Sequence, residues 1–349
     1  DQKATDTYTR NIKAPGVNAD VREMAGSDRA ISSFLEKIGP RDENKPLILI
    51  GCAPCQGFTS HRKKNWSKKD VRNTLITAFA TVAARLEPDC VVMENVPEML
   101  SEKYWEYFRK GRDILRASGY IVKQGIYNAA EFGVPQERFR SVVIAMKSDF
   151  EMPETTVSPS KFSTVRDAIG HLPKIEPGSP DPNDAMHRCA NHRKSTIETI
   201  EAVPKDGGNR PPGAGPDSLD RFDGYSDVYG RLAWDEPAIT ITHYARNPAS
   251  GRFVHPEQHR GLTMREAAAL QSFPDWFEFV GSFDSVFKQI GEAVPPKMAC
   301  GIAASVLKNL ISGDAPKEQE EITRHLVDSP VSSSYSSVIS GIKSNRKEV

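Results

Sequence analysis

The chain has 349 residues, room enough for two domains, and its 46 basic side chains are balanced by 46 acidic ones. A formal charge of zero excludes polyanion binding by gross charge alone, though a local basic patch would still serve such a ligand. No apolar run is long enough to span a bilayer, and five cysteines at irregular spacing do not make a disulfide framework, so a reducing, cytoplasmic setting is expected.

In chain order, Pro46 to Gly51 (Pro-Leu-Ile-Leu-Ile-Gly) reads as a buried strand. Residues 72–86 read as a helix with Leu75, Ile76, Phe79, Val82 and Leu86 on one face. Cys90 to Met93 is a second buried strand, followed by a helix over about 101–117 that Gly119 ends. Residues 120–127 and 139–146 predict two more strands. Strands alternating with helices predict a parallel or mixed sheet covered by helices. From 151 to about 230 the chain turns rich in Pro, Gly, Asp and Ser, as in an irregular second domain. Helix returns over 263–280, where Thr263 and Glu266 have capping-box spacing, and again from Pro296 to Ile311. From 313 the chain is acidic, then Ser-rich, and reads as a disordered tail.

Ligands of open α/β sheets bind beyond the carboxyl ends of the strands. Reactive groups stand at two such ends: Gly51-Cys52-Ala53-Pro54-Cys55-Gln56 after the first strand and Glu94-Asn95-Val96-Pro97 after the second. Gln136-Glu137-Arg138-Phe139-Arg140 leads into another strand and adds guanidinium groups. A thiolate, a carboxylate and an arginine suit methylation of cytosine at C5. Thiolate addition to C6 turns the ring into an enamine, a carboxyl group at N3 stabilises the developing charge, and loss of the C5 proton expels the thiol. The ring must leave the duplex for a thiol to reach C6.

These segments, in this order, resemble the signatures of the cytosine-5 DNA methyltransferase family. Further matches are Arg231-Leu232 with Asp235, Pro237 and Thr240-Ile241-Thr242, then His255-Pro256, Arg260, Leu262-Thr263, Arg265-Glu266-Ala267, Leu270-Gln271-Ser272-Phe273-Pro274 and Gly291-Glu292-Ala293-Val294-Pro295-Pro296. The resemblance implies a Rossmann-like α/β sheet dependent on S-adenosylmethionine, with a smaller, irregular target-recognition domain. It places the catalytic domain at 1–158 plus 286–312 and target recognition at 159–285. By resemblance, Cys55 is the nucleophile, Glu94 the N3 partner, and Arg138 and Arg140 the active-site arginines. Asp20, Val21, Pro54, Leu75, Glu292 and Ala293 match cofactor positions. Residues 57–72 match a mobile loop whose Arg62, Lys63, Lys64, Lys68 and Lys69 suit DNA phosphates. The implied partner is double-stranded DNA, met at the nucleoid by a monomer with no membrane association. A companion restriction endonuclease would share the site.

Two features depart from the family. Glu292 stands where the closing motif usually has Asn, adding negative charge near the cofactor. The family's first strand and Gly-rich turn lie upstream of Asp1, and the chain opens without an initiator Met. Residues 1–349 alone are therefore expected to bind the cofactor poorly. Three other readings compete: a transfer-RNA cytosine-5 methyltransferase, a thiol–disulfide oxidoreductase using Cys52 and Cys55, and a non-catalytic DNA-binding subunit. A zinc site at His187, Cys189 and His192 lacks a complete ligand set, and a polar loop explains those residues better.

Overall fold

The computed structural model describes residues 1–53, 74–221, 227–312 and 326–331. Helices α1 (Gln2–Ile12), α2 (Val21–Gly26) and α3 (Asp28–Ile38) precede strand β1 (Ile48–Cys52). Then come α4 (Leu75–Leu86), β2 (Cys90–Asn95), a 3-10 turn at Pro97–Leu100, α5 (Trp105–Ala117), β3 (Ile121–Asn128) and β4 (Phe139–Met146). Short helices α6 (Val165–Ile169) and α7 (Lys194–Glu201) interrupt an irregular stretch before α8 (Met264–Leu270), α9 (Phe283–Glu292) and α10 (Pro296–Ser312).

Two compact units result. One comprises residues 14–128, 139–154 and 301–349; the other comprises 1–13, 129–138 and 155–300. These boundaries differ from those expected near 158 and 285. The 129–138 segment goes with the second unit because the side chains of Gln136 and Arg138 are bonded there, as described below.

The first unit is built on a four-stranded sheet of order β1-β2-β4-β3. β1 and β2 run parallel, and β4 is antiparallel to both β2 and β3. On one face Val91, Met93, Val122, Ile126, Val143 and Ala145 pack with Ile76, Ala80 and Ala83 of α4 and Phe108 and Leu115 of α5. The alternate residues Cys90, Val92, Val142 and Ile144 are buried as well, so the central strands are apolar on both sides. β1 differs from its reading as a buried strand. It pairs with β2 alone among the described residues, and Ile50 is 69% exposed. An apolar run records a preference for burial, not how many neighbours a strand has.

α5 starts later than expected because residues 97–104 make turns, in which Ser101 N–H donates to the Glu98 carbonyl. It ends as expected at Gly119, whose φ of +83° suits a residue without Cβ. The expected disordered tail is also corrected in part. Residues 326–331 are seated on the first unit, with Leu326 bridging Gly125 of β3 and Val331 bridging Ser101. Val327 and Val331 pack against the sheet core, which gives this short stretch an apolar anchor that the Ser-rich surroundings hide.

The second unit has little regular structure and is held by buried polar staples around an apolar core. That core includes Leu232, Trp234, Ile241, Leu262, Leu270, Phe287 and Ile290. Arg231 is fully buried and donates to the carbonyls of Val203, Ile200, His255 and Gln258. Arg260 forms a two-pronged ion pair with Glu266 at 2.7 and 2.8 Å. The predicted capping box at Thr263 and Glu266 is formed, but α8 is shorter than the expected 263–280. Ser272, at φ +67°, turns the chain, while Ser272 and Phe273 amides cap the Ala269 and Ala268 carbonyls. Pro274 then disfavours helix at Phe273. Among the described residues no helix is long and apolar enough to cross a membrane.

Candidate active site

Sheet register brings the reactive positions of the first unit together. Cys52 on β1 is level with Glu94 on β2, and Glu94 is level with Val142 on β4. Arg140 enters β4 two residues earlier, and its Nε lies 2.8 Å from Glu94 Oε1. The Glu94 and Arg140 side chains are only 14% and 11% exposed, so this is a largely dehydrated ion pair at the end of a buried sheet. Such a pair persists where both members are matched, and removing one partner typically costs about 3–5 kcal/mol. Arg140 Nη1 donates to the Phe139 carbonyl at 2.6 Å, and no hydrogen bond of Nη2 is formed among the described residues.

Asn95 fixes the ends of two strands. Its Nδ2 donates to the Ala53 carbonyl at 3.0 Å, and its Oδ1 accepts from Val96 N–H at 2.8 Å. The Ser141 hydroxyl bonds the carbonyls of Asn95 and Val96, both at 3.1 Å. The chain leaving β1 is thus tied to the strand that carries Glu94. Pro54 and Cys55 follow directly, and they lie outside the described residues, as do Arg62, Lys63, Lys64, Lys68 and Lys69.

Two neighbours complete the local chemistry. Packing by the surrounding protein and the adjacent Glu94 carboxylate push the Cys52 thiol up to about 12, although its side chain still meets solvent. A thiol so raised is a poor nucleophile near neutral pH, which weighs against a redox pair with Cys55. Glu98, four residues after Glu94, has one carboxylate oxygen buried without a partner among the described residues. Burial raises its pKa, and the charge of Arg140 opposes that rise. Glu98, Ser141 and the role of Asn95 are not among the positions that the sequence motifs single out. An amide and a second acid directly after a buried strand were the available signals.

Arg138, expected beside Glu94's partner arginine, belongs to the second unit. Its guanidinium is buried and donates to the carbonyls of Ile241 at 2.9 Å, Gly291 at 2.9 Å and Ala293 at 3.2 Å. Gln136 donates to the Leu270 carbonyl and the Gln271 side chain, and accepts from Ile241 N–H at 3.0 Å. Gln271 in turn donates to the carbonyls of Ile290 and Ala293. Four sequence signatures scattered between 136 and 293 are therefore one buried knot. Gly291 is obligatory in it: a Cβ there would stand 2.2 Å from His243 N.

The cofactor candidates are placed as follows. Asp20 caps α2 through Arg22 N–H and forms an ion pair with the Arg22 guanidinium at 2.6 Å. Those hydrogen bonds hold its carboxyl down to about 2. Val21 and Leu75, both half-buried, open α2 and α4. Glu292 is exposed at the end of α9, and the Ala293 carbonyl is taken by Arg138 and Gln271. His187 bonds Thr263 Oγ1 and the Pro173 carbonyl, and His192 accepts from Gly261 N–H.

Residues 1–308 match the family model for C-5 cytosine-specific DNA methylases. The chain is 33% identical to the Type II methylase M.HgiDII of Herpetosiphon aurantiacus, over 87% of this chain and 85% of that protein. It is 38% identical to the Type II methyltransferase M1.HphI of Haemophilus parahaemolyticus, over 76% of this chain and 70% of that one. Its fold is similar to a crystal structure of a candidate DNA modification methyltransferase from an E. coli prophage. The TM-score there is 0.66, at 24% identity, covering 89% of this chain and 90% of the other. The chain belongs to the C-5 cytosine-specific DNA methylase family and is a DNA methyltransferase.

Proposed function

We propose that this chain transfers a methyl group from S-adenosylmethionine to C5 of a cytosine flipped out of a specific duplex DNA sequence, through a bond between Cys55 and C6. The observation that carries the reading is the dehydrated Glu94–Arg140 pair at the sheet end from which the Cys55 segment departs. When bound, S-adenosylmethionine would supply an electrophilic methyl group and leave as S-adenosylhomocysteine. Cys55 adds to C6 as a thiolate, and C5 gains the electron density to attack. A proton held between the Glu94 carboxyl and N3 neutralises the negative charge that thiolate addition puts into the ring. Arg140 orients Glu94 and offers Nη2 to the base O2. Transfer of the C5 proton to solvent water re-forms the C5–C6 double bond and expels the thiolate.

Asp20 and Val21 fit an adenine ring. The Asp20 carboxylate is ionised and retains acceptor capacity beyond its bonds to Arg22, and Val21 beside it is apolar and half-buried. Leu75 would add apolar surface. Arg62, Lys63, Lys64, Lys68 and Lys69 would hold phosphates, and the second unit would read the sequence in a groove. A companion restriction endonuclease fits the Type II naming of the relatives.

Labelled S-adenosylmethionine and duplex DNA of mixed sequence, incubated with the natural full-length polypeptide, test the reading. We expect label in 5-methylcytosine, confined to one sequence. Label in transfer RNA and none in DNA would replace the substrate, and label in neither would remove the activity.

A further inference from the structure

Among the described residues β3 is the last strand in the sheet order, with β4 on its inner side. Residues 326–331 cover part of it. Val327 N–H donates to the Gln124 carbonyl at 3.0 Å, and Gln124 Nε2 donates to the Val327 carbonyl at 2.6 Å. Four residues on, the same stretch reaches the turn after β2. Val331 N–H donates to the Leu100 carbonyl at 3.0 Å, and Glu102 N–H donates to the Val331 carbonyl at 2.9 Å. That turn begins directly behind Glu94, Asn95 and Val96, and it carries Glu98, which feels the charge of Arg140.

We infer that residues 326–331 are a positioning strap, which ties β3 to the Pro97–Leu100 turn and so holds the segment carrying Glu94 in register. The physical argument is one of degrees of freedom. A 3-10 turn has weak internal hydrogen bonds, and here its exit is closed by two backbone bonds to a remote segment. Val327 and Val331 add apolar contact with the core under the same turn. Without the strap the Glu94–Arg140 pair remains, but the segment beyond it gains freedom at its far end. The catalytic part of this inference rests on the methyl-transfer reading above.

The test uses the full chain. Val331→Pro removes the donor to Leu100, and Val327→Ser weakens the apolar contact while keeping every backbone bond. Circular dichroism checks that each folds, and Val327→Ser carries the test if Val331→Pro does not. Hydrogen exchange is followed over Val96 to Glu102, alongside the single-turnover methyl-transfer rate and DNA affinity. We expect faster exchange over 96–102 and a rate lowered by about 10-fold to 10²-fold with DNA affinity retained, since small misplacements of a reacting group have effects of that order. A synthetic peptide of residues 322–335 should restore part of both losses. Unchanged exchange over 96–102 overturns the strap, whether or not the wild-type chain methylates DNA. Faster exchange with an unchanged rate overturns its positioning role. A wild-type chain that labels no DNA sinks the methyl-transfer reading instead, and the exchange result still decides the strap.

Discussion

Arg140 and Arg138 stand two residues apart in one sequence signature, yet they work in different units and in opposite ways. Arg140 meets a carboxylate at a strand end, where each member keeps a little exposure and a reacting base can be offered charge. Arg138 donates to three backbone carbonyls in a buried knot, where its charge serves acceptors that secondary structure leaves open. Arg231 repeats the second pattern on a larger scale. An arginine's partner, more than its depth, separates a group available for chemistry from one that replaces missing secondary structure.

The contrast is broken most severely at Glu94. Glu94→Gln should slow single-turnover methyl transfer by about 10²–10⁴-fold while DNA binding persists. An unaltered rate would remove Glu94 from the chemistry. Arg138→Met should show the reverse character. It should destabilise the protein by about 3 kcal/mol or more, because the Ile241 and Gly291 carbonyls lose their donor and each buried orphan costs about 1–3 kcal/mol. Denaturant unfolding measures this. A stable variant with a collapsed methyl-transfer rate would instead place Arg138 among the reacting groups.

His255 sharpens the comparison through pH. Burial pushes it down to about 4, and its Nδ1 accepts the N–H groups of Glu257 and Gln258, leaving no room for a proton there. The unfolded imidazole protonates near 6.5, so between about pH 6.5 and 4 the unfolded state binds more protons and stability falls as pH falls. The full loss is about 3 kcal/mol by the size of that shift. Glu266 adds a second loss at lower pH. Burial opposes its ionisation, but Arg260 outweighs that and holds it down to about 2, so its contribution is present above about 4.5 and fades towards 2. His255→Asn should flatten the upper part of the curve and leave the lower part. A wild-type unfolding curve that is flat from pH 6.5 to 4 would contradict the assignment. The smallest effect is Thr263→Ala, which should cost about 1 kcal/mol through loss of the α8 cap.

Much of the first unit was legible because apolar strands and a helix with one apolar face announce themselves. Cys90–Asn95 and Phe139–Met146 fall where their runs of Val, Ile and Met predict. Glu94 and Arg140 stood out as charges at the ends of such runs. The second unit was legible only as irregular, because its order comes from partners far apart in sequence. Gln136 and Gln271 are separated by 135 residues, and Arg138 and Gly291 by 153, distances that no local periodicity reports. The end of α8 was missed because the alanine-rich pattern runs on while Ser272 turns at positive φ. Val327 and Val331 were missed because two apolar residues in a polar tail carry no period.

The central claim is that the sheet end bearing Glu94 and Arg140 presents a cytosine to Cys55, and a covalent trap tests it most directly. Duplex DNA carrying 5-fluorocytosine at the target is incubated with S-adenosylmethionine, digested and analysed by mass spectrometry. Fluorine at C5 cannot leave as a proton does, so the adduct should persist on the peptide containing Cys55 and disappear in Cys55→Ser. An adduct on Cys52, or methylation of ordinary duplex by the Cys55→Ser protein, would contradict it.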